Sequence, residues 1–274
     1  MDINAFKMDG LGNDFIIIDQ REKHFDLSKD QIVKICDRKF IGCDQLIIIK
    51  KNVKLDANLE FYNSDGSKAD ACGNGTRCVA YFLSKENGKK KILVLTSSRI
   101  LKSNILNNNF VETEIGIPKT NWKEIPLNKK LNTKNLNIKI LNKNGYEHTG
   151  GMAINVGNPH VIFFVNNIEE FDLKNIGPRI ENHNFFPEKC NVTLASVVNE
   201  NLIKVKVWER GAGLTKACGT AACATAIAAN ISKLIKNKTE IEFELGRLSI
   251  FIDTKNSIHM RGPVSKIKNI KIKL

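Results

Sequence analysis

Two cysteines in matching surroundings are the residues of this sequence best suited to chemistry. Residues 71–80 read Ala-Cys-Gly-Asn-Gly-Thr-Arg-Cys-Val-Ala, and residues 217–226 read Ala-Cys-Gly-Thr-Ala-Ala-Cys-Ala-Thr-Ala, about half a chain further on. Each segment sets a sulfur, Cys72 or Cys218, directly before a glycine and an apolar run that predicts a helix. A cysteine at the start of a helix meets unpaired backbone N–H groups and the positive end of the helix dipole, which lower a thiol's pKa and attract anions. The glycines that follow, Gly73 and Gly219, carry no Cβ to hold a carboxylate away from the backbone. Each turn is therefore a candidate carboxylate cradle with a reactive sulfur beside it.

Two such cradles facing one another across a domain cleft would put one sulfur on each face of a bound carbon. Inverting a C–H centre needs that arrangement, with a base removing the proton from one face and an acid returning one to the other. Sulfurs suit the task because two of them near one site resist double ionisation, leaving one thiolate and one thiol. The remaining cysteines, Cys36, Cys43, Cys78, Cys190 and Cys223, lack the same context and read as packing. Seven cysteines without a CxxC pair fit neither a disulfide framework nor a zinc ribbon, so no metal site is expected, and reduced thiols point to a cytoplasmic protein.

The elements that must hold these residues follow from the hydrophobic pattern. Helices are expected over residues 76–84 and 219–235, both apolar on nearly every face and hence buried, with a shorter helix over 172–182. Blocks of β-branched residues between turn formers predict strands over 15–19, 45–50, 58–63, 92–97, 136–141, 153–156, 161–165, 192–198, 202–209 and 240–243, and alternating Ile and Lys predict a closing strand within 264–274. The repeated Ala-Cys-Gly segment implies a duplicated α/β domain. A segment rich in Lys, Asn and Pro near Pro118 marks the boundary, giving domains 1–118 plus 264–274 with Cys72, and 119–263 with Cys218.

Composition narrows the classes further. With 274 residues, 42% of them hydrophobic, the chain can bury one large core or two modest ones. No apolar run is long enough for a membrane span, and charges near the N-terminus argue against a secretory signal. The net charge of +13 comes from scattered lysines with little aromatic interleaving, which favours a solvated surface over a nucleic-acid partner.

The ordered motifs resemble the diaminopimelate epimerase family over essentially the whole chain. They run from Lys7-Met8-Asp9-Gly10-Leu11-Gly12-Asn13-Asp14-Phe15 through Asp44-Gln45-Leu46, Asn63-Ser64-Asp65-Gly66-Ser67 and the Cys72 block, then Gly157-Asn158-Pro159-His160 and Glu209-Arg210-Gly211-Ala212-Gly213-Leu214-Thr215, to the Cys218 block and Gly262-Pro263. The resemblance implies an α/β (α+β) fold of two similar domains, each a curled mixed sheet wrapped on a central helix, with the active site between them. It implies cofactor-independent interconversion of LL- and meso-diaminopimelate, with Cys72 and Cys218 as acid and base. Gly73, Asn74, Gly219 and Thr220 would hold the reacting carboxylate, and Asn13, Gln45, Asn63, Asn158, Asn191, Glu209 and Arg210 would bind the substrate, several at its distal end.

Chemistry gives the last pair independent sense, since Arg210 can grip a carboxylate with two N–H bonds while Glu209 accepts from an ammonium. Strict alternation along 202–209 also puts Glu209 on the apolar face with Ile203, Val205 and Val207. His160 suits either orienting a thiol or a structural role. The partner expected is the small substrate alone, with a homodimer possible. Asp9 stands where the family commonly has His, and residues 244–248 replace a glycine-richer turn. A racemase of proline type, or a basic thiol-rich binding module for nucleic acid or metal, are the alternatives. The first has no use for a clamp at the substrate's distal end, and the second predicts tight DNA binding or stoichiometric zinc.

Overall fold

A computed structural model describes residues 2–69, 72–97, 99–107 and 109–274. The chain divides into two compact units, Met1–Glu114 with Arg261–Leu274, and Ile115–Met260.

In the first unit, β1 (Asp2–Gly10) and β2 (Asn13–Asp19) form a hairpin in which Gly10 pairs with Asn13. Its two-residue loop is Leu11 and Gly12, at φ 57° and 78°, the left-handed geometry that matches the twist of the flanking strands. Helix α1 (Lys29–Cys36), started by a capping box at Ser28 and Gln31, carries the chain over to β3 (Gln45–Lys50), parallel to β2. β4 (Ala57–Asn63) returns antiparallel to β3, the short β5 (Lys68–Ala69) folds back on it, and α2 (Gly73–Asn87) follows. β6 (Lys91–Leu95) lies parallel to β4, with β7 (Ile100–Ile105) and β8 (Phe110–Gly116) continuing antiparallel. The C-terminal strand Lys268–Lys273 closes the other edge against β1.

The near-continuous apolar runs of β2 and β3 reflect burial on both faces. Phe15, Ile17, Ile47 and Ile49 pack with Phe61 and the α2 residues Cys78, Val79, Phe82 and Leu83. Ile16, Ile18 and Leu46 pack on the other face with Ile32, Ile35 and Cys36 of α1, and with Ile272. All seven cysteines are free thiols, and the Cys36 and Cys43 sulfurs touch at 3.5 Å in this second layer.

In the second unit, a hairpin of β9 (Ile138–Leu141) and β10 (Glu147–Gly150) stands apart as its own small sheet. The rest repeats the first unit element by element. β11 (Met152–Asn155) and β12 (Pro159–Phe164) pair antiparallel, α3 (Leu173–Glu181) crosses over to β13 (Asn191–Asn199) parallel to β12, and β14 (Leu202–Glu209) runs back antiparallel. The short β15 (Gly213–Thr215) folds onto β14 before α4 (Gly219–Ile231). β16 (Lys238–Phe243) then lies parallel to β14 and antiparallel to β17 (Gly246–Ile252), followed by β18 (Ile258–Pro263) and the closing β19 (Lys268–Lys273). The fold class expected from sequence, mixed α/β with a duplicated sheet-and-helix unit, is the one observed.

The two helices after the Cys-Gly steps are the most buried in the protein. α4 is almost wholly Ala, Thr, Cys and Ile on its covered faces, and it ends at Ile231 rather than at 235 because Lys233 adopts a φ of 60° and turns the chain. No helix among the described residues is long and apolar enough to cross a membrane.

Small residues let the sheet close on α2. A Cβ at Gly75 would lie 2.8 Å from Ile47 Cδ1, 2.9 Å from Phe61 Cε1 and 3.1 Å from Phe15 Cε1. Gly75→Ala is therefore expected to destabilise the protein by about 1–3 kcal/mol through overpacking, seen as a lower urea midpoint with an unchanged slope.

Candidate active site

Cys72 and Cys218 occupy the N-cap positions of α2 and α4, with φ and ψ of −125° and 118° in the first and −138° and 115° in the second. Their carbonyls accept the first helical bonds, from Thr76 N at 2.8 Å and from Ala222 N at 3.1 Å. The N–H groups of the following residues thus sit at a helix start with no carbonyl ahead of them in the helix, and Gly73 and Gly219 add no Cβ there.

Around Cys72, the first unit gathers side chains at one end of its sheet. Asn13 is the first residue of β2, Gln45 the first of β3, and Asn63 the last of the antiparallel β4, directly across from Gln45. Gln45 Nε2 donates to Asn63 Oδ1 at 2.9 Å, and Asn63 Nδ2 donates to Ser67 Oγ at 3.1 Å. Asn13 Oδ1 accepts from the Cys72 thiol at 3.5 Å and from Asn74 Nδ2 at 3.3 Å, while its own Nδ2 donates to Asp44 Oδ2 at 2.9 Å. The Asn74 amide is oriented in turn by the fully buried Arg77, whose Nη2 donates to its Oδ1 at 2.9 Å. A Cβ on Gly10 would come within 3.3 Å of both Arg77 Nη2 and Asn74 Cβ, so glycine there makes room for this pair.

The second unit repeats the arrangement with different side chains. Asn158 immediately precedes β12, His160 is its second residue and pairs with Asn191 at the start of β13, and Glu209 ends β14. His160 and Asn158 join through Nε2 and Oδ1 at 2.9 Å. Asn191 Nδ2 donates to Pro159 O at 3.0 Å, and its Oδ1 accepts from the Arg210 backbone N–H at 3.0 Å. Arg210 Nη1 donates to Glu188 O at 2.9 Å, and the Thr215 hydroxyl donates to Glu209 Oε1 at 2.5 Å. Thr220 Oγ1 lies 3.4 Å from the Cys218 sulfur.

Electrostatics distinguishes the sulfurs from what the helix N-terminus alone implies. Burial and then the negative charge of Glu209 push the Cys218 thiol well above its ordinary range, against the lowering contributed by Thr220 and the Ala221 N–H. Glu209 thus acts on the Cys218 sulfur of its own unit, a placement that a purely distal role would not give. Cys72, half-buried, donates its thiol hydrogen to Asn13 Oδ1.

Asp9 accepts from the Gly12 N–H at 3.1 Å through Oδ1 and donates its own backbone N–H to Ser265 Oγ at 2.8 Å. It holds the hairpin turn that presents Asn13. Arg77, Asp44 and Glu181 are the site-supporting residues that sequence reasoning passes over. Glu181 on α3 accepts from Trp208 Nε1 at 2.7 Å and from Gly211 N at 3.0 Å.

Comparison with known proteins places the chain. The family model for diaminopimelate epimerase matches residues 5–120 and 152–267. A diaminopimelate epimerase of Pelagibacter ubique (strain HTCC1062) is 73% identical over 274 residues, covering 100% of both chains. The diaminopimelate epimerase of Phenylobacterium zucineum (strain HLK1) is 39% identical over 264 residues, covering 94% of each. Among solved structures, a hydroxyproline epimerase from Agrobacterium vitis superposes with a TM-score of 0.68 at 9% identity, over 99% of this chain and 92% of that one. A PhzF-family phenazine biosynthesis protein from Bacillus anthracis gives 0.67 at 17% identity over 100% of both. These two structural likenesses show the shared fold.

His160 is fully buried, and burial together with the Arg210 charge lowers its pKa to about 3. The unfolded chain takes up that proton near the usual value of about 6.5 while the folded chain does not, so acidification through this window favours unfolding. Between pH 6.5 and 5 the wild type is expected to lose roughly 1–2 kcal/mol more stability than His160→Gln, measured by urea titration of both proteins at the two pH values.

Proposed function

Because the chain belongs to the diaminopimelate epimerase family, we propose that it interconverts LL- and meso-diaminopimelate in lysine and peptidoglycan biosynthesis, by proton exchange between the substrate α-carbon and the sulfurs of Cys72 and Cys218. The observation that carries this reading is the pair of Cys-Gly helix starts, alike in backbone geometry and each ringed by amides or charged groups at one end of its sheet. The cytoplasm, with its reduced thiols, is the expected setting.

On this reading one sulfur, as thiolate, removes the α-proton and the opposite thiol delivers one to the other face. The charge that develops on the substrate carboxylate is met by backbone N–H groups at Gly73-Asn74 and Gly219-Thr220, dipoles already oriented before the proton moves. The raised pKa of Cys218 supports it as the proton donor when Cys72 is the base. Asn13 Oδ1, the acceptor beside the Cys72 sulfur, is also placed to accept from the substrate's α-ammonium. In the reverse direction the roles exchange. No step calls for an electron sink other than the carboxylate, so the reading includes no cofactor.

Arg210 suits the distal carboxylate, and Asn63, Gln45, Asn158 and Asn191 supply donors and acceptors for the substrate's amino-acid groups. Glu209 has two acceptor oxygens and a hydroxyl partner in Thr215, a combination fit for an ammonium close to Cys218.

The test is turnover of LL-diaminopimelate in deuterated water by the reduced enzyme, with proline as a comparison substrate. Wild type is expected to epimerise diaminopimelate and incorporate α-deuterium while leaving proline unchanged. Cys72→Ala and Cys218→Ala are each expected to lose epimerisation by at least about 10²-fold, the scale of a missing acid or base. Near-normal rates in either variant would remove that sulfur from the mechanism.

A further inference from the structure

Glu181 is the last residue of α3 and only 6% exposed, yet its carboxylate meets two N–H groups from one short stretch of chain. Oε2 accepts from the Trp208 indole and Oε1 from the Gly211 backbone. Between those two anchors lie Glu209 and Arg210. Ala212 N closes a turn on Glu209 O at 3.1 Å with Gly211 at φ 75°, so Arg210 sits at the outer corner of a turn whose back is held by Glu181.

The same face of α3 also fits the indole. Gly177 lies one helical turn before Glu181, and a Cβ there would come within 2.4 Å of Trp208 Cγ. The helix thus presses on the Trp208 ring through a glycine and grips its N–H through a carboxylate. Only a carboxylate can do both jobs of Glu181, because two N–H donors need two acceptors and an amide of the same shape offers one acceptor and one donor.

We infer that Glu181 is a positioning residue for Arg210, and so sets how well the enzyme grips the end of its substrate remote from the reacting carbon. This rests on the reading of the site given above. Glu209 is fixed independently, by its ladder position opposite Gly213 and by Thr215, whereas Arg210 lies beyond the ladder, where the turn backed by Glu181 works together with the bonds from the Arg210 N–H to Asn191 and from its guanidinium to Glu188 O. Loosening the turn therefore falls on substrate binding more than on the chemical step.

The experiment compares wild type, Glu181→Gln and Trp208→Phe by steady-state epimerisation of LL-diaminopimelate. Alongside it, the rate at which phenylglyoxal labels Arg210 is read by peptide mass spectrometry without substrate. For Glu181→Gln the expected result is a KM raised about tenfold, the equivalent of one charge-assisted hydrogen bond, with kcat within about threefold of wild type. Arg210 should be labelled about tenfold faster. Trp208→Phe, which removes one donor and keeps the Gly211 bond, should fall between, and it decides by the same two readings if Glu181→Gln does not fold. An unchanged KM, a fall in kcat as deep as that in kcat/KM, or Arg210 labelling at the wild-type rate would overturn the inference. Should wild type not turn over diaminopimelate at all, the reading of the function fails, and the labelling rates alone decide whether Glu181 holds Arg210.

Discussion

The placement of a cysteine at the N-cap of a buried helix is the constraint on which the architecture turns. A helix start exposes N–H groups that need partners, and burying it in a sheet normally demands a capping side chain or water. Here the sheet residues around each start are amides, a histidine and charged groups, and the residue after each cysteine is glycine. The helix starts can sit so deep because their first turns carry small residues. Gly75 touches three large apolar side chains with no room for a methyl group, and α4 covers its strands mostly with alanine, joined by Cys223, Thr225 and Ile227. Close packing and an open helix end are thus two sides of one design.

Duplication supplies the frame twice, and side-chain divergence makes the copies chemically unequal. Gln45 facing Asn63 in one unit corresponds to Asn191 beside Glu209 in the other, because β3 and β4 pair as β13 and β14 do. Replacing the neutral amide by a carboxylate changes the field at the nearby sulfur. Cys218 feels a negative charge in a fully buried setting, while Cys72 is half-exposed and faces the dipole of Asn13. The two sulfurs are thus unequal in surroundings although the backbone is the same in both units.

Much of this was legible from local pattern and much was not, for physical reasons. β3 and β14 lie at the residues expected, 45–50 and 202–209, because their apolar runs end at turn formers. β1 and β7 escape such a reading since Lys, Asn and Asp interrupt them, and the polar helix α1 buries only Ile32, Ile35 and Cys36. The two helix starts could be read because cysteine, glycine and the apolar run are adjacent in sequence. Asn13, Gln45 and Asn63 came only through family resemblance, since a lone asparagine near a turn carries no distinguishing signal. Arg77 acts through a neighbour in its own motif, and Asp44 and Glu181 act across thirty residues or so of chain, a separation that no local spacing encodes.

The edge of the first unit has a consequence for how the molecule is made. Strand β1 is paired with β19 over residues 2–7, Asp2 lying opposite Lys273, and Asp9 is bonded to Ser265. A ribosome releases the first of these partners long before the second. The nascent N-terminal sheet must therefore wait with one flank of β1 open, its Ile3 and Ala5 lacking their final cover, until residues 268–273 have left the exit tunnel. The intervening unit, contiguous in sequence, can finish folding earlier. The earlier unit is thus completed by a strand made only after the whole of the later one.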